Sequence, residues 1–133
     1  MKLFLGLYSL FICLFATLLP QKSREESVAD GAEIYNDFCV QCHLGNGVGV
    51  AGVFPPLNKS DYLFEDINRS IAGIKYGLKG PIEVNGTSYN GVMVNQGLDA
   101  QEIADVMNYI LNSWDNQSEQ TVTSDWVEKI EKP

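Results

Sequence analysis

The chain has 133 residues, enough for one domain, and a formal net charge of −8. That excess of carboxylates excludes a nucleic-acid partner, which would need a basic surface. It fits plain solubility, and equally the steering of a partner with a basic face.

Residues 1–20, MKLFLGLYSLFICLFATLLP, differ from everything after them. One charge, Lys2, precedes 17 uncharged and mostly apolar residues, Leu3 to Leu19. This is the layout of a secretory signal. The run is at the lower limit for a membrane span. No small-x-small cleavage motif stands before Gln21, so an uncleaved anchor formed by residues 3–19 is the alternative. Cys13 reads as one more residue of this segment, because Phe11 and Ile12 stand where a lipid-anchor signal carries small residues. Either way the rest of the chain is expected in a periplasmic or other extracytoplasmic space, which is oxidising.

Residues 21–29, QKSREESVA, are polar and charged and read as a tether. A helix is predicted from Asp30, with Glu33 three residues on as in a capping box. Ala32, Tyr35, Phe38, Cys39 and Cys42 then fall near one side at helical spacing. Gly47, Gly49, Gly52 and Pro55-Pro56 mark a loop. The stretch 58–78 holds two short helices, the first capped by Ser60 or Asp61 and the second by Asp66 or Asn68. Asn85-Gly86, between Ile82/Val84 and Tyr89, predicts a small type I′ hairpin. The clearest helix follows Asp99, with Glu102 three residues on and a Leu98–Ile103 staple. Its apolar stripe is Ile103, Val106, Met107, Ile110, Leu111 and Trp114. Residues 117–133 form a polar extension with a short helix capped by Ser124. The predicted fold is all-α with long loops, its functional domain spanning 30–116.

Cys39, Cys42 and the chain's single histidine, His43, lie together in CVQCH. A structural zinc site needs a fourth protein ligand, and no further Cys or His follows. A dithiol redox pair belongs beside a βαβ pattern, which is missing here. A Cys39–Cys42 disulfide would close too small a loop to constrain the unfolded chain. C-x-x-C-H is the attachment signal for c-type haem. Cysteines three apart share one face of a helical turn, so both sulfurs reach one porphyrin edge. Haem attached in this way would also staple a core that is small for one domain.

With these residues the chain resembles the class I (monohaem) c-type cytochromes, particularly the small bacterial periplasmic ones. The resemblance runs from about Asp30 to Trp114 and rests on GAEIYNDFCVQCHLGNGVG, VFPPL, YNGVM and EIADVMNYI. It implies a cytochrome c fold of four or five helices around one covalently bound haem c. It implies thioether bonds from Cys39 and Cys42, and axial iron ligands His43 and Met93. It further implies that Pro55 gives His43 a carbonyl partner, that Leu57 touches the haem, and that Gly31 and Tyr35 pack the first helix across Val106, Tyr109 and Ile110. Met107 lies in the last helix's apolar stripe, where methionine ordinarily fills core. One departure stands out: many relatives carry proline after the ligating methionine, and this chain has Val94.

Two protein ligands leave iron no open position, so the expected function is single-electron carriage between exported or membrane-bound respiratory redox proteins, not catalysis. With its single histidine committed, a Ser-His-Asp arrangement is excluded. Two alternatives stand: a haem subunit of a larger oxidoreductase, or a gas sensor or weak peroxidase if Met93 dissociates. The carboxylates would guide a basic partner to the haem edge. Lys59, Arg69, Lys75 and Lys79 fall between the two ligands in sequence and would make that region less acidic than the whole.

Overall fold

The computed structural model describes residues 22–133. The signal or anchor expected for 1–20, Cys13 with it, therefore lies outside the described residues. Helix α1 spans Arg24–Phe38, and α2, Val40–His43, continues it after a break at Cys39. Helices α3 (Asp61–Glu65) and α4 (Ile67–Tyr76) follow, then α5 (Ala100–Asn112) and α6 (Ser124–Glu128). Four short strands lie between α4 and α5: β1 Leu78–Lys79, β2 Ile82–Val84, β3 Thr87–Tyr89 and β4 Val92–Met93. They form two antiparallel ladders, β1 with β4 and β2 with β3. The all-α prediction holds, with the ladders as local features.

Helix α1 starts six residues earlier than predicted, so most of the expected tether is helix. The Ser23 side chain accepts the Glu26 N–H and the Glu26 carboxylate accepts the Ser23 N–H, a complete capping box. Asp30 is inside the helix and caps nothing there. Elsewhere the caps fall where expected: Ser60 on α3, Asp66 on α4, and Asp99 with Glu102 on α5. Thr123, not Ser124, caps α6. Asn85 and Gly86 both have positive φ, 50° and 74°, as a type I′ turn requires.

Helices α1 and α5 cross at Gly31, where a Cβ would lie 2.0 Å from the Asp105 carbonyl oxygen and 2.8 Å from Tyr109 Cβ. Below the crossing, the rings of Tyr35, Tyr109 and Trp114 meet with centroids 5.3, 5.4 and 5.8 Å apart. Above it, the buried Asp105 carboxylate accepts Ser27 Oγ at 2.6 Å and Lys22 Nζ at 2.6 Å. The stripe Ile103, Val106, Met107, Ile110 and Leu111 is buried in one core with Tyr35, Ile71, Val122 and Val127. The last two belong to the segment expected to be a polar extension. Buried Asn108 secures it by donating to the Val122 carbonyl (2.9 Å) and accepting the Val122 N–H (2.8 Å).

Candidate functional site

Helical hydrogen bonds run through the CVQCH stretch despite the break in α1. The Cys39 N–H donates to the Tyr35 carbonyl at 2.9 Å and the His43 N–H to the Cys39 carbonyl at 3.0 Å. Cys39, Cys42 and His43 therefore ride on one turn, as the i, i+3 argument requires. Leu44, at φ 63°, ends this turn, and Tyr35 Oη pins the Leu44 carbonyl at 2.7 Å. The following loop folds back on itself. Gly49 (φ 62°) donates to the His43 carbonyl at 3.0 Å, and a Cβ there would meet the Phe54 carbonyl oxygen at 2.3 Å. The N–H groups of Leu57 and Asn58 both reach the Gly47 carbonyl, at 2.7 and 2.9 Å. These bonds bring the Pro55 carbonyl to 2.9 Å from His43 Nδ1. That nitrogen faces an acceptor and so carries the proton, which leaves Nε2 with a free lone pair.

All six site residues picked out from the sequence, Cys39, Cys42, His43, Pro55, Leu57 and Met93, line one cleft. The walls are mostly apolar, and the cavity volume is about 250 Å³. That is just below the roughly 300 Å³ at which cofactor sites usually begin, with one side open. Cys39 and Cys42 are half-buried and not joined in a disulfide. Burial, and then the neighbouring Cys42, push the Cys39 thiol up to about 11. Burial lowers the pKa of His43, with the Pro55 carbonyl opposing the shift, so the imidazole is held in its neutral, ligand-competent form.

Met93 and Met107 both line the cleft. They differ in setting. Met107 is 1% exposed and belongs to the continuous core. Met93 is half-buried in β4, where it pairs with Leu78 of β1. This pairing was not foreseen, and it fastens the methionine loop that lacks the usual proline.

Two lining residues were missed as site residues. Arg69 Nε and Ser70 Oγ are buried without hydrogen-bond partners, although both residues border the cleft. The Arg69 guanidinium is stacked 3.6 Å over the Tyr62 ring and donates to the Tyr62 carbonyl at 2.6 Å. Orphaned donors on an apolar wall fit an occupant with an apolar body and carboxylate arms, as haem has. Among the described residues no three of His, Cys, Asp and Glu converge as a metal site. Three of the four cations between His43 and Met93 are engaged separately: Lys59 pairs with Asp115 at 3.2 Å, Arg69 borders the cleft and stands 3.8 Å from Glu65, and Lys75 binds backbone carbonyls.

The cytochrome c family profile matches residues 28–114. The chain belongs to the cytochrome c family. It is 45% identical over 91 residues to cytochrome c-552 of Thermus thermophilus, covering 65% of this chain and 69% of that one. A second cytochrome c-552 from the same species is again 45% identical, with 61% of its length covered. The chain is also 30% identical over 103 residues to the cytochrome c subunit of a quinone alcohol dehydrogenase from Gluconobacter oxydans, spanning 75% of this chain and 21% of that subunit. The cofactor of this cytochrome c domain is covalently bound haem c, and its activity is electron transfer.

Proposed function

We propose that this cytochrome carries single electrons between exported or membrane-bound redox proteins, with Cys39 and Cys42 as the thioether anchors and His43 and Met93 as the axial ligands. The observation that carries this reading is the convergence of the Cys39–His43 turn and the Met93 strand on one apolar cleft. Bound there, haem supplies the one-electron couple of ferric and ferrous iron. The residues do the rest. The Pro55 carbonyl fixes the His43 tautomer and raises its basicity as a ligand. A thioether from Met93 favours the reduced state and raises the potential. The apolar walls, with Leu57 among them, keep water from the iron. Arg69 and Ser70 offer their unpartnered donors to the haem carboxylates.

The contact with redox partners is at the open side of the cleft. There Val53, Val92 and Val94 are exposed, and no carboxylate is among the lining residues. The carboxylates thus act by long-range steering rather than in the contact. Electron-transfer rates with a basic partner should fall as ionic strength rises, and a rate insensitive to salt would overturn the steering. An extracytoplasmic location goes with the expected leader. Among the described residues no helix is long and apolar enough to cross a membrane.

The likeness to a dehydrogenase cytochrome subunit supports a second reading, in which this chain serves a larger oxidoreductase complex. Co-purification with a dehydrogenase from native membranes separates the two. The sensor or peroxidase alternative requires Met93 to leave the iron, and the β1–β4 pairing opposes that. Carbon monoxide added to the reduced protein at neutral pH should leave its spectrum unchanged; a carbonyl adduct would overturn electron carriage as proposed.

A further inference from the structure

The last turn of α4 is gripped from two sides. On one side Lys75 Nζ donates to the carbonyls of Val127, Glu128 and Ile130 at 2.8, 3.2 and 2.9 Å, and Tyr76 Oη donates to the Ile130 carbonyl at 2.8 Å. Carbonyls at a helix end have spare lone pairs, although the Val127 carbonyl also accepts the Ile130 N–H at 3.2 Å, and the three donors of one ammonium match these three acceptors. On the other side the Lys75 carbonyl accepts Asn95 Nδ2 at 2.8 Å, and Asn95 Oδ1 accepts the Gly97 N–H at 2.6 Å. Gly77, at φ 83°, ends α4 directly against this loop: a Cβ there would lie 2.9 Å from the Met93 carbonyl oxygen and 3.2 Å from Asn95 N. A continuous chain of bonds thus leads from the C-terminal segment, through Lys75 and Asn95, to the backbone beside Met93.

We propose that Lys75 and Asn95 are positioning residues for Met93, through which the C-terminal segment holds the methionine at the cleft. The segment fixes Lys75, Lys75 fixes Asn95, and Asn95 stiffens a loop that has valine rather than proline at position 94. This rests on Met93 being the iron ligand. A ligand on a loosened loop yields to a competitor more readily, because the competitor's apparent affinity rises with the fraction of molecules whose site is open.

The test is imidazole binding to the full-length, haem-loaded ferric protein, followed optically. Lys75→Met keeps the aliphatic stem and removes the three donors; Asn95→Ala, at an exposed loop position, removes the other joint. Each should raise imidazole affinity about tenfold, the scale of losing a hydrogen bond to a charged group or a turn-fixing amide. The double variant should gain much less than a hundredfold, since both act in one chain. Amide hydrogen exchange across 93–97 should quicken in Lys75→Met, a readout independent of iron. Lys129→Met, at an exposed position of the C-terminal segment, should change neither. Imidazole affinity within twofold of wild type in Lys75→Met and Asn95→Ala overturns the positioning role, and fully additive effects overturn the chain of transmission. The sulfur-to-iron band distinguishes the two levels. Band loss in Met93→Ala with wild-type affinity in the other variants removes positioning alone. A band that survives Met93→Ala removes the ligand reading and the positioning role with it.

Discussion

Replacing Gly31 with alanine tests the helix crossing on which the cleft is built. The new Cβ would sit 2.0 Å from the Asp105 carbonyl oxygen and 2.8 Å from Tyr109 Cβ, against 3.4–4 Å for an ordinary contact. The nearer atom is backbone and cannot rotate away, so α1 and α5 must part by about 1 Å or more, which puts the overpacking cost near its usual upper end of about 3 kcal/mol. Alanine's better helix propensity returns about 1 kcal/mol. The net destabilisation is about 2 kcal/mol. In guanidinium unfolding of the haem-loaded protein, followed by circular dichroism, that is a midpoint shift of about 0.5 M at a slope of about 4 kcal/mol/M. Gly45→Ala is the matched control, because nothing lies within 4 Å of its Cβ position. A Gly31→Ala cost below about 0.5 kcal/mol, or one equal to that of Gly45→Ala, would refute the close crossing.

Asn108→Ala should destabilise by about 2–4 kcal/mol in the same assay, because it strands the buried N–H and C=O of Val122 and removes the amide donor to Ser27 Oγ. A cost near zero would mean that the C-terminal segment does not pack as described. Lys22 gives a pH prediction. Burial alone would lower its pKa, but bonds to Asp105 and Asp30 outweigh burial and raise it above 10.5. The folded state therefore holds this proton more tightly, so the contribution is present below pH 10.5 and lost as pH climbs past it. The stability difference between wild type and Lys22→Met should be constant near neutrality and shrink in that alkaline range; a difference unchanged to about pH 12 contradicts the pairing.

What could be read from the sequence was what is encoded locally. The C-x-x-C-H turn, the caps at Ser60, Asp66 and Asp99, the Asn85-Gly86 turn and the stripe of α5 each announce themselves within a few residues. The start of α1 was hidden because its buried face is built from Ser27 and Gly31, which carry no apolar signal, and the bond from Lys22 beside it goes to Asp105, distant in sequence. The packing of the C-terminal segment was hidden for a related reason. Val122 and Val127 are isolated in a polar string, and the bonds that hold it come from Asn108 and Lys75, distant in sequence. The β1–β4 ladder is two residues long on each side, too short to leave a periodicity. Arg69 and Ser70 became visible as site residues only once the cleft placed their unpartnered atoms against it.

The two methionines at the cleft decide the central claim. The oxidised protein should have a sulfur-to-iron charge-transfer band in its optical spectrum. With Met93 on the iron, Met93→Ala abolishes this band, while Met107→Ala keeps it and loses stability as a core truncation does. Survival of the band in Met93→Ala, with its loss in Met107→Ala, would contradict the assignment of Met93 to the iron.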